Sequence, residues 1–140
     1  MTRVRDAMIP DPHALESSAS AQEAGELFDR PEVRAVLVCD DGRLTGIVTR
    51  KTLVREVVAR GRHPGATPLG EIAEEPLFTV DAEMELEQAF RELEERDFER
   101  VPVLEDRRLV GVLSRSVLQR RLAEDEAPPE DEPPELPTAA

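Results

Sequence analysis

Two short segments of this chain place a glycine, a hydroxyl side chain and an arginine in the same order. They are Gly46-Ile-Val-Thr49-Arg50 and Gly111-Val-Leu-Ser114-Arg115, and each stands between an apolar run and a helical pattern. A strand that turns directly into a helix leaves free backbone N–H groups beside such a hydroxyl, which favours an anion such as phosphate. The arginines, and Lys51 next to the first of them, would add charge-assisted hydrogen bonds. The alternative is that Thr49 and Ser114 only cap helices, a role worth about 1 kcal/mol each.

These segments belong to an internal repeat of 65 residues. Sliding the chain by that distance, without a gap, places Arg43-Leu-x-Gly46 on Arg108-Leu-x-Gly111 and continues through both hydroxyl-arginine pairs. The same register aligns Leu53 with Leu118. Chance does not keep one register over such a span, so the chain consists of two copies of one supersecondary unit.

Both copies predict the element order β-α-β-β-α. In the first copy, Ser20 followed by Glu23 is a capping-box signature, the run 35–39 is typical of a buried strand, and Asp40-Asp41-Gly42 indicates a tight hairpin turn. A unit of about 60 residues is marginal alone. We therefore expect an α+β fold in which repeats 1–62 and 63–122 pack through their sheets with pseudo-two-fold symmetry.

The charge of the chain is −13 and is concentrated at the C-terminus. Residues 123–140 hold seven acidic side chains, five prolines and no base, which predicts a disordered acidic tail. This charge argues against nucleic acid as a partner, because polyanion binding requires a basic surface. The longest purely apolar run, 35–39, is far shorter than the about 20 residues that cross a bilayer, so no membrane association is expected.

The single cysteine, Cys39, has no partner for an internal disulfide and no Cys or His at metal-ligand spacing. A buried small hydrophobe at the end of a strand is the expected role. The charged N-terminus leads into no apolar segment of a secretory signal. We therefore expect a cytoplasmic protein without a metal site. Neither a Ser-His-Asp or Cys-His set nor a P-loop is apparent, so we expect no enzymatic activity.

The doubled pattern resembles a tandem pair of CBS domains, a Bateman module, over residues 3–122. The resemblance depends on the two Gly-h-h-[Ser/Thr] segments (h, hydrophobic), on Arg100-Val-Pro-Val103 and on the opening Val4-x-Asp6-x-Met8. It implies that AMP, ADP, ATP or S-adenosylmethionine is bound in clefts between the repeats, with no required cofactor. It also implies a homodimer, whose interface we expect to include Leu27, Val57, Leu93 and Leu118.

The chain departs from the family pattern where an Asp commonly binds the ribose hydroxyls. Thr52 and Val117 occupy those positions, and Arg100, which matches a phosphate contact, has Ala35 as its counterpart. The two clefts are therefore not expected to be equivalent. A salt bridge from Arg100 to Glu94 or Glu99 is the alternative for that residue. The resemblance thus implies the following nucleotide-binding residues: Ile9, Thr49, Arg50, Lys51, Thr52, Thr79, Val80, Arg100, Val101, Pro102, Ser114 and Arg115.

The sequence leaves two functions open. The first is a non-catalytic regulatory module that binds an adenosine nucleotide between the repeats and signals to a partner protein. The second is a ligand-free scaffold for dimerisation or protein docking, which the missing Asp residues favour. The retained Gly-h-h-[Ser/Thr]-Arg segments in both repeats favour the first function. No effector domain is apparent in this sequence, so we expect the regulated protein to be another chain.

Overall fold

The computed structural model of the chain describes residues 2–10, 12–76 and 78–126. The first repeat contains α1 (Val4–Ala7), β1 (Ile9–Pro10), β2 (Ala14–Glu16), α2 (Ala21–Leu27), β3 (Val36–Asp40), β4 (Arg43–Val48) and α3 (Arg50–Leu53), which a π-helical turn, Val54–Val58, continues. A 3₁₀ turn, Pro64–Ala66, leads to α4 (Leu69–Ile72), β5 (Val80–Asp81), α5 (Leu86–Arg96), β6 (Arg100–Glu105), β7 (Arg108–Ser114) and α6 (Arg115–Glu126). The predicted acidic tail lies outside the described residues from position 127 onward.

The strands of both repeats join in one sheet, in the order β2-β3-β4-β7-β6-β5, with β1 paired to β7. The two hairpins meet in the middle, where Arg43 of β4 pairs with Arg108 of β7 and the Leu109 N–H donates to the Gly42 carbonyl at 3.0 Å. The α+β fold of two repeats joined through their sheets, expected from the sequence, is confirmed.

Local sequence signals explain where the elements begin and turn. The Ser20 hydroxyl accepts a hydrogen bond from the Glu23 N–H at 3.2 Å, and the Glu23 carboxylate accepts one from the Ser20 N–H at 2.8 Å, which confirms the capping box. The first hairpin turns at Asp41 and Gly42, both with positive φ, as a two-residue turn of that hand requires.

The short opening helices are exchanged between the two repeats. Val4 and Ala7 of α1 are buried in the core of the second repeat, and Leu69 and Ile72 of α4 are buried in the core of the first. Backbone hydrogen bonds follow the same symmetry. The Val4 N–H donates to the Met84 carbonyl at 2.9 Å, and the Leu69 N–H donates to the Ala19 carbonyl, its symmetric counterpart, at 2.8 Å. Each core is therefore completed by the other repeat's opening helix.

The helix that follows β4 differs from the expected single apolar stripe. Its π-helical turn leaves Val54 58% and Val58 71% exposed, whereas Val57 is buried. The expected dimer residues Leu93 and Leu118 are fully buried within the single chain, as is most of Val57, so the expectation that an interface covers them is wrong. They serve the cores instead, because helix packing within each repeat already removes them from water.

No helix among the described residues is long and apolar enough to cross a membrane.

Candidate functional site

The two hydroxyl-arginine segments follow the two central strands, β4 and β7, and each lies beside a strand-like segment from the other repeat, which crosses over after an opening helix. Ile9 of β1 pairs with Val112 of β7, next to Ser114. Glu74, at the symmetric position after α4, pairs with Ile47 of β4, next to Thr49, through backbone hydrogen bonds of 2.8 and 2.9 Å. Both candidate clefts are therefore built from both repeats, because the chain crosses over after each opening helix.

The motif glycines permit this crossing. A Cβ atom at Gly46 would lie 2.6 Å from the Ala73 Cβ, and one at Gly111 would lie 2.7 Å from the Met8 Sδ and 2.9 Å from the Ile9 carbonyl oxygen. Real Cβ atoms do not approach that closely, so glycine is required for the crossing segment to lie against the strand. The glycine of the motif thus has a packing role that is separate from any ligand.

At the first cleft, Thr49 and Thr52 form a closed hydrogen-bonded box at the N-terminus of α3. The Thr49 N–H donates to the Thr52 Oγ1 at 3.0 Å, and the Thr52 N–H donates to the Thr49 Oγ1 at 3.3 Å. The two hydroxyl oxygens are 3.0 Å apart, and Thr52 is fully buried. Thr49 therefore caps α3, which is the role that the alternative to anion binding gives it, and Thr52 completes the capping box.

Two residues not singled out from the sequence, Glu74 and Arg55, complete this cluster. The Thr52 hydroxyl donates to the Glu74 Oε2 at 3.0 Å, and the Arg55 Nη2 donates to the Glu74 Oε1 at 2.5 Å. The hydrogen bonds from Thr52 and then from Arg55 hold the pKa of the Glu74 carboxyl below its usual range. The sequence did contain a signal for Glu74, because the 65-residue register aligns this acidic residue with the apolar Ile9.

The basic residues beside Thr49 have different surroundings. The Arg50 Nη2 donates to the carbonyl oxygens of Phe28 at 2.6 Å and Arg30 at 2.9 Å, and its guanidinium lies 5.1 Å from the centre of the Phe28 ring. The carbonyls at the end of α2 attract a cation, so Arg50 is anchored to that helix. Lys51 is exposed.

At the second cleft, the hydroxyls of Ser114 and Ser116 lie 3.0 Å apart at the start of α6. Arg115 pairs with Asp97 at 3.4 Å and Glu99 at 3.3 Å, and its N–H donates to the Glu99 carbonyl at 2.8 Å. Arg100 is exposed and forms no ion pair within the described part of the chain. The alternative of a salt bridge from Arg100 to Glu99 is therefore wrong here, because Glu99 is held by Arg115.

The expected adenine-facing residues divide by burial. Val80 and Val101 are core residues of the second repeat, and Pro102 is buried in β6, one residue before the point at which β6 begins to pair with β5. Thr79 is half-buried, and Ile9 is 45% exposed. Of this group, Ile9 and Thr79 are thus the side chains that solvent reaches most easily.

The described surface also has two concave regions apart from these segments. A groove of about 730 Å³ runs between α2 and the π-helical turn, lined by residues that include Gly25, Leu53, Val57 and Val58. A smaller cleft of about 340 Å³ lies between β2 and the hairpin turns, lined by residues that include Leu15, Cys39, Gly42 and Leu109.

The chemistry of Cys39 is that of a core residue. Burial, and then the nearby charges of Glu16 and Asp40, raise the pKa of the Cys39 thiol. The thiol therefore remains protonated. Among the described residues, no group of three or more His, Cys, Asp and Glu side chains is placed to hold a metal ion.

Comparison with known proteins agrees with the doubled architecture. Hypoxic response protein 1 of Mycobacterium tuberculosis is 30% identical over 125 residues, covering 89% of this chain and 87% of that protein. The CBS domain-containing protein YhcV of Bacillus subtilis is 28% identical over 114 residues, covering 81% of each.

Solved structures share the fold over nearly the whole described length. A crystal structure of Hypoxic Response Protein I with two coordinated zinc ions superposes with a TM-score of 0.74 at 28% identity, covering 86% of this chain and 99% of that chain. The crystal structure of CBSX2 in complex with AMP superposes with a TM-score of 0.72 at 27% identity, covering 91% of this chain and 100% of that chain.

The sequence model of the CBS domain matches this chain twice, at residues 4–59 and 69–124. Those two stretches contain both Gly-h-h-[Ser/Thr] segments and both opening helices. The protein therefore belongs to the CBS domain family, as a tandem CBS pair.

Proposed function

We propose that this CBS pair is a non-catalytic regulatory module that binds an adenosine nucleotide, of the AMP, ADP or ATP kind, between its repeats and signals to a partner protein. The observation that carries the proposal is the fold shared with CBSX2, whose structure contains AMP, over 91% of this chain. The cytoplasm is the proposed location, which the single buried cysteine favours.

The crossing segments support a signalling role. A ligand seated beside β7 would contact Ile9 and Ser114, which belong to different repeats, and one beside β4 would likewise meet both repeats. Such a ligand stabilises one arrangement of the repeats over another only if its affinity for the two differs. A site that spans the junction provides that difference directly, because its contacts change whenever the repeats move.

Charge supports a phosphate contact at the second cleft. Arg100 begins β6 and its backbone pairs in register with Ser114, so its side chain starts beside the N-terminus of α6, and its guanidinium pairs with no carboxylate among the described residues. A twelve-residue helix such as α6 offers free N–H groups at its N-terminus. We assign the phosphate to Arg100, Ser114 and Ser116, and the base to the side of Ile9 and Thr79.

Isothermal titration calorimetry with AMP, ADP, ATP and S-adenosylmethionine, with GMP as the comparison, tests the proposal. We expect saturable binding of at least one adenosine ligand. The substitution Arg100→Ala should weaken AMP binding about tenfold, as expected for one charge-assisted contact of about 1.4 kcal/mol, and leave adenosine binding unchanged. Arg91→Ala, which removes an exposed charge on α5, is the matched control. An absence of binding at millimolar ligand would refute the sensor function.

A specific observation favours a second candidate, a scaffold that forms a homodimer through the first repeat. The groove beside α2 is open because Gly25 stands where the second repeat has Phe90, and the exposed Val54 and Val58 lie next to it. In the second repeat the corresponding positions are Gln119 and Ala123. The apolar surface of the helices is thus concentrated on one repeat.

We propose a second copy of this chain as the occupant of the groove. Glu26 of α2 and Asp29 just after α2 line the groove, and so does Arg62, which also pairs with Glu71. A two-fold axis along the groove would bring these opposite charges together. Size-exclusion chromatography with light scattering should give a dimer that Val58→Asp converts to a monomer. Ala123→Asp, at the equivalent position of the second repeat, should leave the dimer intact. A monomeric wild-type protein would refute this candidate.

A further inference from the structure

Glu74 gives the first cleft a carboxylate that the second cleft lacks. The 65-residue register places Glu74 on Ile9, and the strand pairing agrees, since Glu74 lies against Ile47 as Ile9 lies against Val112. Thr52, which binds the Glu74 carboxylate, corresponds to Val117. The two clefts therefore share a backbone plan but differ in polarity where the crossing segment meets the helix.

The Glu74 carboxylate fixes the direction of the hydrogen bonds around it. A carboxylate with a lowered pKa only accepts, so the proton of the Thr52 hydroxyl points to Glu74 across 3.0 Å. The Thr52 oxygen then accepts from both the N–H and the hydroxyl of Thr49, each 3.0 Å away. The remaining N–H of this box, that of Thr52, donates to Thr49. The donors of the box, which are the N–H and hydroxyl of Thr49 and the N–H of Thr52, are thus directed inward and away from a bound anion.

The two arginines that flank the first cleft are already engaged. Arg55 donates to Glu74 itself, and Arg50 is bound to two carbonyl oxygens at the end of α2. Lys51 is the remaining basic residue of the segment. A phosphate approaching Thr49 would therefore find the Glu74 carboxylate paired with Arg55 and the Arg50 guanidinium bound to α2, with the exposed Lys51 as the remaining basic side chain.

The second cleft has the opposite character. Ile9 presents a 45% exposed apolar side chain in place of the carboxylate, and Val117 offers no hydroxyl. The Ser114 and Ser116 hydroxyls hydrogen bond to each other, with no carboxylate among the described residues to fix their protons. A hydroxyl pair of this kind reorients to donate to an incoming anion.

We infer that Glu74 is the specificity-determining residue that closes the first cleft to phosphate-bearing ligands, so that one adenosine nucleotide binds per chain, in the second cleft. This inference rests on the proposed function, because it decides where and how many nucleotides bind. It makes the carboxylate at position 74, together with Ala35 in the place of Arg100, the cause of the difference between the repeats, since both repeats keep the Gly-h-h-[Ser/Thr] segment.

The test is the stoichiometry of AMP binding by titration calorimetry on the full chain. Wild-type protein should bind one AMP. Both Glu74→Gln, which removes the charge and keeps the size, and Glu74→Ile, which copies Ile9 of the second cleft, should bind a second AMP, more weakly than the first because Ala35 stands where the second cleft has Arg100. Glu75→Gln removes the same charge from the adjacent exposed residue and should still bind one. In the reciprocal variant, Ile9→Glu, the single site should lose affinity for AMP at least tenfold.

The outcomes separate this inference from the proposed function. Two AMP molecules on the wild-type chain, one on both Glu74 variants, two on Glu75→Gln, or unchanged binding by Ile9→Glu would each overturn the role of Glu74. Binding that begins only when Glu74 is replaced would overturn the assignment to the second cleft. No AMP binding by the wild type or any variant would overturn this inference, whereas the proposed function itself is refuted only if none of the adenosine ligands binds. Thermal unfolding of each variant verifies that it is folded, and the two Glu74 substitutions provide independent versions of the same test.

Discussion

Because the opening helices are exchanged, a destabilising substitution in the opening helix of one repeat should destabilise the core of the other repeat. Leu69 stands in the sequence at the start of the second repeat, yet it is fully buried in the core of the first. Replacing a fully buried leucine by alanine removes its transfer free energy and leaves a cavity, at a cost of about 3 kcal/mol. For a domain of this length such a loss lowers the melting temperature by about 10 °C. Calorimetry or circular dichroism of Leu69→Ala measures that shift.

The decisive measurement is which strands lose protection from hydrogen exchange. Hydrogen exchange of Leu69→Ala should show the greater loss of protection in β3 and β4 of the first repeat. Val4→Ala, the symmetric change, should show it in β6 and β7, because Val4 is buried in the second core. Glu75→Ala, an exposed residue near α4, should change stability by less than about 0.5 kcal/mol. Loss of protection in β6 and β7 on Leu69→Ala would contradict the exchanged packing.

Two further predictions concern the first cleft. Gly46→Ala should destabilise the fold by about 1–3 kcal/mol in chemical denaturation, because the added Cβ would overlap Ala73. Gly25→Ala on α2 is the control and should be neutral or stabilising, because the nearest neighbour of its Cβ is 4.0 Å away. Equal effects of the two substitutions would contradict the packing role of Gly46. The pKa of Glu74 is lowered in the fold, so its contribution to stability is present above pH 4.5 and is lost as the pH falls below it. In Glu74→Gln, the unfolding free energy should fall less steeply than in the wild type as the pH is lowered below 4.5. An unchanged pH dependence would show that the Glu74 carboxylate does not contribute to stability.

Much of the architecture could be predicted from the sequence because it depends on local patterns. The capping box at Ser20 and the turn at Asp41-Gly42 depend on residues within a few positions of each other, and both are present in the structure. The repeat register is equally readable, since two copies of one pattern fold in the same way. Family membership followed from those same features.

Several side chains have different surroundings from those expected because their partners are distant in sequence. Arg50 was expected to face an anion but is bound by carbonyl oxygens twenty or more positions away. Leu93 and Leu118 were expected at a dimer interface but are buried together with α1 of the other repeat. An apolar position in a helical pattern indicates burial without indicating what covers it.

The sequence by itself determined the doubling, the β-α-β-β-α part of each repeat, and the two helix starts that follow a Gly-h-h-[Ser/Thr] segment, because hydrogen-bonding and hydrophobic periodicity act over short distances. It did not predict the opening helices α1 and α4. Only the tertiary structure decided that the opening helices exchange partners and that Glu74 reaches Thr52 and Arg55. Those contacts join residues from different elements, and their formation depends on the free energy of packing the two repeats together. The polarity of each cleft is therefore a property of the folded pair and not of either motif.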